Sequence, residues 1–124
     1  MEIDSYLAEA GHRTAALATS HGLAVADAAV RLAEAERFHE EKEALAGKLT
    51  ERWGEPHHVG LQTVRLRTGT EEIPEPWAEL SLRVADVYLW QAAEHGRWVA
   101  LGVADLDPDD EIQLLLVVTE TDPP

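Results

Sequence analysis

The chain has 124 residues, enough for a core that buries about two-thirds of the surface the unfolded chain exposes, so one domain over 1–124 is expected. Its 24 Asp and Glu against 10 Lys and Arg give a formal charge of -14, which repels nucleic-acid phosphates and anionic membranes and favours basic proteins or cations. The absence of cysteine excludes disulfides, thiolate nucleophiles and Cys-ligated zinc.

The first half reads as a helical segment, 1–53. Asp4 can cap a first helix whose apolar positions Ile3, Leu7, Ala10, Thr14 and Leu17 recur every three to four residues. Ser20-His21-Gly22 offers a stop, because glycine adopts the left-handed C-terminal conformation most cheaply; with Gly22 tolerated inside it, one long helix is the alternative. A second helix is expected from Ala24 or Asp27 to Arg52. Val30, Ala33, Phe38, Leu45, Leu49 and Trp53 mark its core stripe, and Glu34, Glu36, Glu40, Lys42, Glu43 and Lys48 its opposite face. Thirteen alanines favour helix but supply little core volume. A helix of ~28 residues would be ~42 Å long and overhang a sheet of ~30 Å, making a helical arm that could pair with a second copy.

After Trp53-Gly54-Glu55-Pro56 the period changes to two, and 57–119 reads as an antiparallel sheet. Residues 59–67 are expected as a half-buried strand, with Val64 and Leu66 on one face and Arg65 and Arg67 on the other. Glycine and prolines mark 68–76 as a loop, and Pro76 suits the first turn of a short helix through Leu80. Strands at 84–92, 97–104 and 112–119 are joined by the turns Ala93-Glu94-His95-Gly96 and Asp107-Pro108-Asp109-Asp110, an antiparallel meander with the first strand at an edge. The last strand is apolar on both sides, so both its faces should be covered. Residues 120–124 form a polar tail expected to fray. The fold class is therefore α+β, a long helix or helical hairpin packed on a four-stranded, mainly antiparallel sheet.

No catalytic set accompanies this architecture. Glu9-Ala10-Gly11-His12 and Glu36-Arg37-Phe38-His39 have the Glu-x-x-His spacing of di-iron bundles, but 16 glutamates and 6 histidines produce roughly one such pair by chance, and the strand-rich half lacks the further helices needed. His57-His58 lies beside Glu55, yet adjacent strand residues face opposite ways, which disfavours joint ligation. The run Asp105 to Glu111 begins like an EF-hand loop but carries Asp110 where glycine is required and Leu116 where the bidentate glutamate belongs. It reads instead as a solvated hairpin turn. Ser5, Ser20 and Ser81 lie in no nucleophile-elbow setting, and no glycine-rich phosphate loop occurs. Arg65 and Arg67 could hold an anion, although neighbouring acidic side chains are the more ordinary partners. No catalytic, cofactor or metal residue is assigned.

The segments Arg52-Trp53-Gly54-Glu55-Pro56 and Gly96-Arg97-Trp98-Val99-Ala100-Leu101-Gly102-Val103 resemble small, uncharacterised α+β proteins of high-GC actinobacteria, and loosely the immunity proteins encoded beside polymorphic toxins. The resemblance implies binding without catalysis and carries over no functional residues.

The expected function is thus a non-catalytic acidic module, immunity-like or adaptor-like, that engages a basic protein partner. The acidic sites are Asp105, Asp107, Asp109, Asp110 and Glu111 with Glu71, Glu72 and Glu75, and the aromatic anchors are Tyr88, Trp90 and Trp98. Those aromatics would line the sheet face away from the helices, or else fill the core. One alternative is a small-molecule sensor or enzyme with a pocket between helices and sheet at Trp90, Trp98, Tyr88 and His57. Another is a structural homodimer through the long helix or open sheet face. The acidic start Met1-Glu2-Ile3-Asp4-Ser5 has no signal-peptide pattern, and Leu114 to Val118 is far shorter than a span of ~18 residues, so a cytoplasmic protein, neither membrane-bound nor nucleic-acid-bound, is expected.

Overall fold

A computed structural model describes residues 12–23, 27–92, 96–107 and 109–124. Its centre is an antiparallel sheet of five strands, β1 (His12–Thr19), β2 (His57–Gly60), β3 (Asp86–Ala92), β4 (Arg97–Ala104) and β5 (Gln113–Thr119), in the order β1-β5-β4-β3-β2. A long helix, α1 (Ala28–Trp53), covers one face. Two short helices, α2 (Gln62–Arg67) and α3 (Trp77–Arg83), cover the other.

The meander forms where the alternation placed it. Leu89 pairs with Ala100 and Trp90 with Val99, while Ala100 pairs with Val117 and Leu101 with Leu116. Side chains alternate between two cores. Trp90, Val99, Leu101, Leu114, Leu116 and Val118 meet Phe38, Ala46 and Leu49 of α1. Leu89, Ala100, Leu115 and Val117 meet Val64 of α2 and Trp77 and Leu80 of α3. The sheet is therefore the middle of three layers, and β5 is buried continuously from Leu114 to Thr119 because a helical layer lies on each side. Among the described residues, β3, β4 and β5 therefore leave no open sheet face.

The helix α1 begins where a cap permits. Asp27 accepts a hydrogen bond from the Val30 amide at 2.9 Å, and Gly54, with φ +86°, ends the helix as its N–H reaches the Thr50 carbonyl. On the solvent side Arg37 bonds Glu34 and Glu41, and its guanidinium holds the Glu34 carboxyl below the usual carboxylate range. Lys42, expected on that outer face, instead turns inward and is buried, with its ammonium 3.8 Å from Asp86 and 5.0 Å from the Tyr88 ring centre. Val30 and Ala33, expected on the core stripe, are exposed together with Leu32, because the first turns of α1 reach the sheet layer only at its end, through Arg31 on the Asp107 and Asp110 carbonyls.

Two segments depart from the periodicity. Residues 12–19, expected inside a first helix, form β1 and pair with β5 from His12↔Thr119 to Thr19↔Gln113, with a bulge at Leu17. Alanine prefers helix by at most ~0.7 kcal/mol per residue over other ordinary residues, whereas β5 as an edge would expose a backbone row beside its buried side chains. Pairing decides the outcome. Asp4, Ile3, Leu7 and Ala10 of that expected helix lie outside the described residues. The second departure is 59–67. The ladder extends past β2 by one bond, Leu61 N–H to Ala85 C=O, and the chain then turns into α2, burying Leu61 and Val64 and leaving Leu66 exposed. Arg65 is drawn to the end of α3, where its Nε donates to the Ser81 carbonyl at 2.6 Å, closing an otherwise open helix end. Arg67 pairs with Glu71.

The short helix at Pro76 extends to Arg83, beyond the expected Leu80. The tail is anchored rather than frayed. The Trp77 indole donates to the Thr121 carbonyl, the Trp98 indole to the Asp122 carboxylate, and Arg97 pairs with Glu120 at 2.8 Å.

Candidate functional site: the acidic turn and its recess

The turn between β4 and β5 is acidic in sequence and braced in structure. From α1, Arg31 spreads its two terminal nitrogens over the Asp110 and Asp107 carbonyls, each at 2.8 Å, and His39 Nε2 lies 2.9 Å from the Asp105 carboxylate. On the other side, Glu111 accepts the Ser20 hydroxyl at 2.9 Å and the Leu23 amide at 3.1 Å, while Ser20 Oγ accepts the Ile112 amide. Asp105 and Glu111 are thus fastening groups. Asp107 and Asp110 take the amides of Asp109 and Glu111, as short acidic side chains do in turns, and these two carboxylates with Asp109 face solvent.

Beneath the turn lies a recess of about 270 Å³ lined by Leu82, Arg83, Ala104, Asp107, Asp110 and Glu111. Leu82 is 57% exposed and Leu106 is 38% exposed, and the Leu106 amide is tied to the Arg83 carbonyl at the end of α3. An acidic rim therefore borders two accessible leucines. Those leucines were missing from the sequence-derived site, although the helical spacing of Trp77, Leu80, Ser81 and Val84 already leaves Leu82 off the buried face.

The other expected site residues lie elsewhere. Glu71 is held by Arg67, which keeps its carboxyl below the usual range, Glu72 is exposed, and Glu75 accepts the Glu79 amide at 3.1 Å. Glu75 precedes α3 and the acidic turn meets its far end, so roughly 10 Å of helix separates the two groups. Trp90 is 2% exposed, locked by its indole N–H on the Gly54 carbonyl and by Trp53 at 6.4 Å. Tyr88 lies on the same face, half-buried, its hydroxyl donating to Glu43 at 2.6 Å and its ring 5.3 Å from His58. The Glu43 bond, then burial, pushes the Tyr88 pKa up. Trp98 is on the opposite face, so Trp90, Trp98, Tyr88 and His57 surround no common cavity. In this fold the indoles are core and fastening groups, because α1 covers one face and the short helices cover the other.

His58 lies 3.2 Å from Asp86 and His57 is paired opposite Leu89, on the other side of β2. Of the two Glu-x-x-His pairs, His39 binds Asp105, and Glu9 lies outside the described residues. Among the described residues no three His, Cys, Asp or Glu side chains gather as a metal would require, and no helix is long and apolar enough to cross a membrane.

The chain is an α+β protein whose antiparallel sheet is packed between helices and whose acidic turn overlies a leucine-edged recess. No protein-family model, curated protein or solved structure matches it.

Proposed function

We propose that this chain is a non-catalytic acidic binding module, immunity-like or adaptor-like, that engages a basic protein through the turn 105–111. The observation that supports the reading best is the recess under Asp107 and Asp110, with Leu82 and Leu106 exposed beside it. A lysine or arginine has the matching construction, an aliphatic stem ending in a cation. Its stem would lie on the leucines and its head on the solvent-facing Asp107, Asp109 and Asp110 carboxylates, which outnumber Arg83, the one cation of the recess wall. The -14 charge steers such a partner, and the bracing by Arg31, His39 and Ser20 holds the turn in one shape before binding, which lowers the ordering cost.

The test is capture from native lysate by wild type and by a variant carrying Asp107→Asn, Asp109→Asn and Asp110→Asn. Asparagine keeps an oxygen acceptor at each position, so the turn's internal bonds persist. A basic partner captured at low salt by wild type and lost by the variant is the expected result. Equal capture by both proteins would overturn the reading.

A further inference from the structure

A second concavity lies on the short-helix face, between α3 and the edge strand β1. It encloses about 370 Å³, within the ~300–1,000 Å³ range of small-ligand sites. Leu80 and Leu115 line it with apolar surface, and its charges are sorted along α3. Glu75 and Glu79 stand at the start of the helix, and Arg83, beside Gln113, stands at its end.

The sorting runs against local preference. Glu79 and Arg83 are four residues apart with the glutamate N-terminal, the spacing and order that favour a pair along a helix. Arg83 turns to the Gln113 side-chain oxygen instead and makes no ion pair among the described residues. The guanidinium has further N–H groups to offer, and Gln113, whose amide nitrogen also donates to Thr19, keeps one N–H in reserve. Glu75 uses one carboxylate oxygen on the Glu79 amide, leaving the other, and the Glu79 carboxylate has no side-chain partner among the described residues. A cationic donor set and an anionic acceptor set thus face one groove with apolar wall between them.

We propose that this groove binds a short zwitterionic ligand, its carboxylate on Arg83 and Gln113, its ammonium on Glu79 and Glu75, and its aliphatic middle on Leu80 and Leu115. Four residues of helix set the two ends on the order of 6 Å apart along the axis, which calls for a spacer of several atoms, as in an ω-amino acid or a dipeptide. Either end alone is a poorer fit. The acidic field of the protein discourages a simple carboxylate, and a simple amine leaves Arg83 unmatched.

The experiment is titration of 6-aminohexanoate, hexanoate and hexylamine into the full chain, followed by amide chemical shifts. The expected result is that 6-aminohexanoate binds tightest of the three and moves amides of α3 and β1. Glu79→Gln, an exposed change that should leave the fold intact, weakens it by about tenfold, as loss of one charge-assisted contact should, without affecting hexanoate. Arg83→Gln weakens both. Arg83 also borders the recess under the acidic turn, so the control that separates the two sites is Leu82→Ser, at a residue that lines that recess alone and should leave probe binding as in wild type. Equal binding of the three probes, an absence of shifts at α3 and β1, or indifference to Glu79→Gln would overturn the proposal.

Discussion

Replacing Gly102 by alanine tests how closely β4 approaches the strand and bridge beside it. A Cβ on Gly102 would lie 2.6 Å from Val84 Cγ1, 3.0 Å from Val87 Cγ1 and 3.0 Å from the Asp86 carbonyl oxygen. The two valines are buried, and the carbonyl belongs to the β3 backbone, so none of the three can swing aside freely. Overpacking of this kind costs about 1–3 kcal/mol, offset by ~0.5–1 kcal/mol from restricting the unfolded chain. The 2.6 Å approach to Val84 puts the cost in the upper part of that range, so the net loss is about 1–2 kcal/mol. For 124 residues the unfolding entropy is on the order of 0.26 kcal/mol/K, so Tm should fall by about 4–8 °C. Gly47 is the internal control. It lies in α1 with nothing within 4 Å of its Cβ position, so Gly47→Ala should gain ~1 kcal/mol and raise Tm by ~4 °C. Thermal unfolding of wild type and both variants by circular dichroism reads the two signs together. Gly102→Ala at or above the wild-type Tm would refute the close approach of Val84 and Asp86 to β4.

Two further outcomes follow from the fastening groups. Glu111→Ala leaves the Ser20 hydroxyl and Leu23 amide without their shared carboxylate acceptor, and should cost about 2 kcal/mol in urea unfolding; an unchanged midpoint would contradict this brace. Tyr88, isolated by Tyr6→Phe, should titrate above the ordinary tyrosine value by ultraviolet difference absorbance, and Glu43→Gln should bring it down. Because the folded pKa is raised, this contribution to stability is present in full below the unfolded value of about 10 and is lost as pH rises through the folded one. A Tyr88 midpoint insensitive to Glu43→Gln would contradict the bond.

The sequence was most legible where a local rule acted alone. Of the two expected starts of α1, Ala24 and Asp27, the structure takes Asp27; the break at Trp53-Gly54 marked its end, and period-two alternation delimited β3, β4 and β5 within a residue or two. It was least legible where a distant strand decided. Nothing local in 12–19 outweighs its alanines, yet the clue lay in β5, whose two apolar faces suit an interior strand while the meander alone would have left it at an edge. A fifth strand was needed beside it. Residues 62–67 misled for another reason, since six residues of helix are too few to display a period and Val64-Arg65-Leu66-Arg67 alternates by accident. Of the site, the acidic turn was legible as composition. The distinction between fastening carboxylates, Asp105 and Glu111, and outward ones, Asp107, Asp109 and Asp110, was not, because it depends on Arg31, His39 and Ser20 arriving from residues 66 to 92 positions away. The aromatics misled most, since the second helical layer that covers Trp98 comes from a segment read as a strand, 62–67, and from a short helix at Pro76 that was not assigned to a face of the sheet.

In the proposed binding mode the acidic turn and the leucine-edged recess would divide the labour, with charge governing approach and the leucines governing retention. The most direct measurement is the rate of association and dissociation between this chain and its captured basic partner as ionic strength is raised. Association should slow steeply with salt and with the Asp107→Asn, Asp109→Asn and Asp110→Asn variant, while Leu82→Ser should chiefly speed dissociation. An association rate indifferent to both salt and the turn would contradict the account.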